Sequence, residues 1–484
     1  MTRASEDEQP RVDLLPLAVL RIILGTTFWF WAQNFLRDDR WEIFFTDPLM
    51  LFKYNGFEWV TVWPGNGMWL YFQVTAVAAI CCAVGFCTRL SALTLSVSMA
   101  YAILVERQIY NNHDYLLATT AALMTLLPAG QQLSVDSVLS KRLFGWEPLR
   151  TMPRWQWWLV RFQLGMPYVF GAIAKLDADW RAGQPAGLFV DSRVETPLIG
   201  PLFAMEHAAF VMAWGGLLFD ALVVPALLYK PTRIPAVVAA CVFHLTNATI
   251  FHIGVFPWFM LATLYVFFPD DFLLRLFRRG ETRGGRARDR FSESKPIRWL
   301  IASYVVVQLL LPIRPWVLPG NPAWNERGQR FAWRMMLRHK ECLLWYKVEI
   351  EDDYLFVPAQ FAMSPNQVLR APRDPEMVRQ AAVRIGQEVT AKIQEPCRVY
   401  ALALVSLNGR PPKLLIDPEA DLTQVRPGWF SDPWVVQDPG PLPERPVWID
   451  KEEWWQNIDM PDRFRGLSQY RPSQAFELYL QSQN

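Results

Sequence analysis

The chain has 484 residues, 52% of them hydrophobic and 14% aromatic, with a formal net charge of +2. That length allows two or three soluble domains, but long apolar runs crowd the first two thirds, and the mean hydropathy of +0.09 averages them with an ordinary soluble remainder. No basic stripe with interleaved aromatics and no nucleic-acid motif occurs, which argues against a nucleic-acid partner.

Arginines precede an apolar run at residues 14–32. It is long for a signal-peptide core and no small-x-small cleavage site follows, so it reads as an uncleaved first membrane helix. About nine spans of bilayer length are predicted, starting near Leu14, Met68, Leu90, Asp114, Gln156, Ala208, Ile234, Gly254 and Ile297. The fourth and eighth are short, and residues 252–257 form either a tight re-entrant turn or an open loop. The connections at 34–67, with Trp41, Phe44, Phe45, Trp59 and Trp63, and at 186–206 are long and should cover the mouth of the bundle. Cys81, Cys82, Cys87 and Cys241 lie in or beside apolar runs and read as inert buried thiols. No cysteine or histidine spacing is that of a zinc site, so no metal is expected.

The basic residues give an orientation. With a cytoplasmic N-terminus, the even-numbered connections hold Arg89, then Lys141, Arg142, Arg150 and Arg154, then Lys230 and Arg233. The last is an arginine-rich stretch with Arg278, Arg279, Arg283, Arg286, Arg288, Arg290 and Lys295. That is the positive-inside bias. Gly280, Gly284 and Gly285 make this last stretch a flexible linker against anionic membrane lipid. An odd number of spans then puts the C-terminal part outside the cytoplasm, in periplasm, lumen or exterior, on the face of the His113 and Lys175 connections. The expected architecture is an α-helical polytopic membrane bundle over residues 1–315 and a small, mainly-β (α+β) extracytoplasmic domain over 316–484.

In that domain Tyr346, Val348 and Ile350 alternate with Lys347, Glu349 and Glu351, the period of a strand. Asp374-Pro375-Glu376 starts a helix, with an N-cap and Pro at N1. Val378, Ala381, Ala382, Ile385, Val389 and Ile393 give it one apolar face. Residues 400–407 and 413–416 read as strands about the turn Asn408-Gly409. Trp429, Trp434, Trp448, Trp454 and Trp455 serve packing, or contact with the membrane or a docked peptide. Cys342 and Cys397 can pair only in an oxidising compartment and with a geometry that sequence does not give.

The polar residues inside the apolar runs carry the functional question. The run at 156–174 stops at Lys175, within Gly171-Ala172-Ile173-Ala174-Lys175-Leu176-Asp177-Ala178-Asp179-Trp180. One reading is a stop signal, a snorkelling lysine beside an interfacial tryptophan. The other is a lysine buried at the mouth of a membrane cavity, where loss of solvation disfavours the charged form and favours a general base. Asn111-Asn112-His113-Asp114 opens another run. It is either a helix cap or a set of donors for an oxyanion or carboxylate. His244 and Asn247 share one face of a helix, as structural groups or as the lining of a cavity. On one continuous helix, His244 and His252 lie roughly 12 Å apart and do not share a metal.

Four of these stretches, in order, resemble the vitamin K-dependent gamma-glutamyl carboxylase family, which shares the HTTM domain. They are Tyr110 to Leu116, the Lys175 segment, His244-Leu245-Thr246-Asn247 with Ile253 to Pro257, and Pro319-Gly320-Asn321 with Phe331-Ala332-Trp333-Arg334-Met335-Met336-Leu337. The resemblance implies gamma-carboxylation of glutamate side chains, coupled to epoxidation of a reduced vitamin K or related quinol, with O2 and CO2 as co-substrates and no metal. It implies that Lys175 takes the quinol proton and that His113, supported by Asn112, stabilises developing charge. His244 and Asn247 would line the quinol or substrate cavity, and the soluble domain would hold a glutamate-containing peptide. The chain departs from the family pattern where Pro315 replaces a common histidine and His252 a small residue, and its soluble part is shorter than in animal carboxylases. Two other readings follow from these departures and from the plain roles of each polar residue. One is a quinol-epoxidising membrane enzyme without protein carboxylation. The other is a non-enzymatic membrane scaffold or binding protein.

Overall fold

The computed structural model describes residues 10–196, 200–251, 253–277, 289–428, 430–447, 450–451, 453–454 and 458–469. His252, Arg278, Arg279, Gly280, Arg283, Gly284, Gly285, Arg286, Arg288, Trp429, Trp448 and Trp455 lie outside the described residues. The bundle comprises α1 (Leu15–Leu36), α2 (Gly67–Val84), α3 (Thr88–Val105), α4 (Asn112–Leu126), α5 (Arg154–Ala174), α6 (Ala208–Leu228), α7 (Arg233–Ile250), α8 (Phe256–Thr263) and α9 (Lys295–Leu310). Apolar side chains left outside form single stripes. They are Val74, Val77, Ile80 and Val84 on α2, and Ile234, Val238, Val242 and Leu245 on α7. Steps of three and four residues put each stripe on one helix face. So regular an exposed apolar face belongs against lipid.

Among the described residues six helices are long and apolar enough to cross a membrane: Leu15–Asp39, Gly67–Val84, Thr88–Val105, Ala208–Leu228, Lys230–Ile250 and Lys295–Val317. The expectation of about nine is therefore not met on these criteria. The physical reason differs for each remaining helix. α4 has 15 residues, roughly 22 Å, against a hydrocarbon core of roughly 30 Å. Most of it is buried by its neighbours. α8 is shorter still. α5 is 21 residues long but carries Gln156, Arg161 and Gln163, all buried. Its Gln163 Nε2 donates to Thr119 Oγ1 of α4 at 2.8 Å, and Gln308 Nε2 of α9 donates to the Tyr115 hydroxyl at 2.8 Å. These polar pins hold helices that composition alone would not place inside a bundle.

The two ends of the bundle are closed differently. At one end β1 (Arg11–Asp13) pairs antiparallel with β2 (Thr151–Pro153). Arg161 there donates to the Val266 and Phe268 carbonyls and to Asp270. At the other end the soluble domain docks. Arg107 pairs with Asp374, Lys53 N donates to Gln380 Oε1, and Arg410 pairs with Asp179. Phe52, from the long first connection, is buried in the domain's own core. The connections near His113 and Lys175 thus share one face with the soluble domain.

That domain is a four-stranded antiparallel sheet in the order β4-β3-β5-β6, formed by β3 (Lys340–Ile350), β4 (Asp353–Pro358), β5 (Arg398–Leu407) and β6 (Lys413–Leu414). Helix α10 (Pro375–Ile393) covers one face, packing Val378, Ala381, Ala382 and Ile385 on Tyr346, Val348, Ala401 and Ala403. The side chains of opposite parity, Trp345, Tyr400, Leu402 and Leu404, lie under Trp454, Phe464 and Leu467. Strand alternation therefore feeds two cores. Asp374 caps α10 through the Glu376 N–H at 3.0 Å. Val389 is partly buried and Ile393 exposed, so the apolar face ends a turn before the helix does. Asn408 and Gly409 both have positive φ, 53° and 78°, as a tight turn requires. Ile416 bridges to Val435 rather than extending β6. Trp434 and Trp454 are buried packing residues. Cys342 and Cys397 are free thiols, so no disulfide links them.

Candidate functional site

Lys175 does not snorkel. It follows the last residue of α5, is 5% exposed, and its Nζ donates to Asp220 Oδ2 on α6. Asp220 is 4% exposed. Trp180 is not an interfacial anchor either. Its ring lies 5.3 Å from Lys175 Nζ and its Nε1 donates to the Ala213 carbonyl at 2.7 Å. The stop-signal reading fails because carboxylate and ring together satisfy the ammonium inside the protein.

A glycine on each helix faces this pair, and only the one on α5 is required for the approach. On α5, Gly171 precedes Lys175 by one turn; on α6, Gly216 precedes Asp220 by one turn. A Cβ at Gly171 would lie 2.8 Å from Asp220 Oδ2, and one at Gly216 would lie 3.9 Å from Lys175 Cε. Gly171 thus leaves the room that the Asp220 carboxylate occupies, whereas a side chain at Gly216 would meet Lys175 only at ordinary contact distance.

The other acids of the lysine segment are engaged elsewhere. Asp177 caps a short helix through the Asp179 N–H and lies 3.9 Å from Arg334 Nη2. Asp179 accepts from Arg410 at 2.6 and 2.8 Å and from Asn408 Nδ2 at 2.9 Å, fastening the bundle to the soluble domain.

Further along α5, Tyr168 lies seven residues before Lys175, two turns along the same helix face. Its hydroxyl is 2.9 Å from His244 Nε2. His244 is 2% exposed and its Nδ1 has no hydrogen-bond partner among the described residues. Phe219, Phe243 and Phe256 surround the imidazole at centroid distances of 6.0, 5.3 and 6.3 Å. His113 joins from the far side, 5.7 Å from the Phe256 ring. The structure thus links His113, His244 and the face of α5 that bears Lys175 through shared aromatic neighbours. Asn112 and Asn247 lie beside these histidines on α4 and α7. Asn112 Oδ1 accepts from the Tyr110 hydroxyl at 3.1 Å, and Asn247 is half-buried one turn beyond His244. Asn111 occupies the N-cap of α4 without a capping bond; its amide donates to the Ile109 carbonyl. The capping reading therefore holds for position and not for chemistry.

The segment 331–337 roofs this constellation. Phe331 packs on Tyr110 and Tyr115, Trp333 on Tyr115, and Met335 Cε lies 3.5 Å from where a Cβ at Gly171 would stand. Leu337 is buried with Ala174, Trp180, Ala213 and Leu217. Phe331, Trp333 and Met336 all have positive φ, between 56° and 61°, a costly conformation for bulky residues that tertiary packing has to impose. Sequence reasoning missed Asp220 and Tyr168. A lone acid in an apolar span was the available signal for the first.

These features define a helical membrane protein whose buried lysine–carboxylate pair lies where the bundle meets an α+β domain. Residues 10–272 match the family model of the HTTM domain, and residues 293–439 match that of the vitamin K-dependent gamma-carboxylase, lumenal domain. The first match alone covers more than half of the chain. The chain belongs to the vitamin K-dependent gamma-carboxylase family. No solved structure matches it.

Proposed function

We propose that the protein carboxylates glutamate side chains with CO2 while oxidising a reduced vitamin K or related quinol with O2 to its epoxide. The observation that carries this reading is Lys175, buried and held by one carboxylate beneath the 331–337 segment. The residues around His244 suit a flat ring bearing oxygens. His244 Nδ1 is buried without a partner, and three phenylalanine rings stand around that imidazole. When bound, the quinol supplies the oxidative chemistry that makes a base strong enough for the γ-carbon of glutamate.

The chain's own residues have narrower tasks. Lys175 accepts the quinol hydroxyl proton. His113, positioned by its neighbours Asp114 and Phe256, donates to developing negative charge, and Asn112 supports it. His244 and Asn247 orient the ring. The roof at 331–337 excludes water, which would otherwise quench a carbanion. The soluble domain holds the glutamate-containing peptide, on the extracytoplasmic side if the positive-inside bias sets the topology.

Epoxide formation tests the reading. Purified protein in lipid nanodiscs, given reduced vitamin K and oxygen, should form epoxide; Lys175→Ala should not. Labelled CO2 appearing in a glutamate peptide separates carboxylation from epoxidation alone. The absence of the common histidine at Pro315, which here packs against Gly328, motivates that second reading. Quinol-independent behaviour in every assay would leave a membrane binding protein.

A further inference from the structure

Lys175 presents a chemical difficulty as a base: an ammonium cannot accept a proton. Its one carboxylate partner offers a route. We infer that Asp220 is a positioning residue that takes the resting proton of Lys175 along their shared hydrogen bond, freeing the amine to act. This rests on the reading of Lys175 as the base.

The acids are distributed so that only Asp220 can serve. Asp177 faces Arg334, and Asp179 is held by Arg410 and Asn408. Among the described residues Asp220 alone hydrogen-bonds Lys175 Nζ. It sits on a different helix from the lysine, in the room left by Gly171. A carboxylate placed at this cost in helix packing, inside an apolar span, is a functional feature rather than a solvated charge.

Charge balance favours the same route. An ion pair of ammonium and carboxylate is neutral overall, and so is the pair of amine and carboxylic acid. Moving one proton from Nζ to Oδ2 breaks one N–H bond, forms one O–H bond and leaves no net charge. Releasing that proton to water would strand a buried carboxylate, which is far more costly. Nζ then accepts the quinol hydroxyl proton, with the counter-charge left on that quinol oxygen beside the new ammonium. The site stays neutral throughout, with Asp220 protonated. When one oxygen atom leaves the O2-adduct of the quinol as water it carries off the gained proton, and Asp220 returns its own to Nζ.

The test uses the full chain in nanodiscs. Infrared difference spectra, with reduced vitamin K bound under argon minus the unbound protein, should show a protonated-carboxyl band. The band should shift with carbon-13 aspartate and vanish in Asp220→Asn. Its absence from the wild type with quinol bound overturns the inference. In steady-state epoxide formation, Asp220→Asn should lower kcat about 100-fold while changing the quinol KM less than about threefold. Asp220→Glu should recover most of the rate. A wild-type kcat in Asp220→Asn overturns the inference, as does a folded Asp220→Glu protein that lacks the carboxyl band, which decides the matter should the Asn variant fail to fold. The controlling comparison is Lys175→Ala. If it still turns over, the base assignment itself is wrong. If it is inactive beside a fully active Asp220→Asn, Lys175 stands and the role of Asp220 falls.

Discussion

Arg21 and Lys175 are buried cations at opposite ends of one helical bundle, and their partners differ in kind. Arg21 is fully buried and donates to backbone carbonyls: Ala129 at 2.9 Å, Gln132 at 3.1 Å, Leu133 at 2.5 Å and Ala83 at 3.4 Å. Carbonyls cannot take a proton and a guanidinium does not give one up, so this is a permanent clamp between the end of α2 and the connection at 129–133. Lys175 meets a ring and a carboxylate, and the carboxylate can take a proton. One end holds a charge that its partners cannot discharge; the other pairs its cation with a group able to take a proton.

Substitutions at the two cations should therefore fail in opposite ways. Lys175→Met should cut epoxide formation at least about 1,000-fold, yet keep wild-type thermal unfolding, because the remaining Asp220 can become neutral. Arg21→Met should leave turnover per folded molecule near wild type but cost about 3–5 kcal/mol of stability, since several carbonyls lose a buried donor. A chemical-unfolding series alongside epoxide yield reads both. Two variants with the same profile would erase the distinction between the ends.

What was legible beforehand follows the same division between local and long-range physics. The α10 start was readable because Asp374, Pro375 and Glu376 fix it within one turn. β3 was readable because residues 346–351 alternate, and β5 and β6 because they flank the turn Asn408-Gly409. Lys175, His113 and His244 stood out as polar residues within or beside apolar runs, and the ordered motifs placed them in a family. Asp220 stood in such a run too, but its partner is 45 residues away, and only the register of α5 on α6 pairs them. The buried location of Lys175 was equally hidden: a lysine ending an apolar run looks identical whether it meets water or a carboxylate. Each of the nine expected spans has a helix in the bundle, but among the described residues only six are long and apolar enough to cross a membrane; α4 and α5 are held by side-chain pins such as Gln163 to Thr119, which no hydropathy window records.

The domain-facing end should also respond to pH in a way the Arg21 clamp does not. Glu106, just beyond α3, is 1% exposed and accepts from the Gln108 and Phe52 N–H groups at 2.8 and 3.2 Å. Burial pushes its carboxyl up to about 7 from an ordinary 4.5, with those hydrogen bonds and Lys53 opposing. A raised folded-state value means that folding takes up a proton. This stabilising term is complete below about pH 4.5 and is lost as pH rises through 7, a change of roughly 3 kcal/mol. Glu106→Gln does not titrate, so its stability relative to wild type should rise by about 2–3 kcal/mol from pH 5 to pH 8. Asp374 runs the other way. It is buried, but Arg107 and Arg330 hold it well below the usual carboxylate range. Its contribution is present above about pH 4 and fades in acid. Equal stability differences between Glu106→Gln and wild type at the two pH values would show that Glu106 does not couple proton uptake to folding.

The smallest effect is the sharpest probe of the lysine end. Gly171→Ala should help α5 by about 0.5–1 kcal/mol, because alanine is the better helix former. The added Cβ would lie 2.8 Å from Asp220 Oδ2 and 3.5 Å from Met335 Cε. The carboxylate must then move off Lys175, since its short side chain has no other way to yield. The expected result is an unchanged or slightly raised unfolding temperature with epoxide turnover down about tenfold, a cost of about 1.4 kcal/mol in the transition state. Gly216→Ala is the matched control. Its Cβ would meet Trp180 at 3.5 Å and Lys175 Cε at 3.9 Å, ordinary contact distances, so its turnover should stay within about twofold of wild type. If both alanines slowed turnover equally, helix packing in general would explain the loss. If only Gly171→Ala does, the rate depends on the reach of one carboxylate to one ammonium.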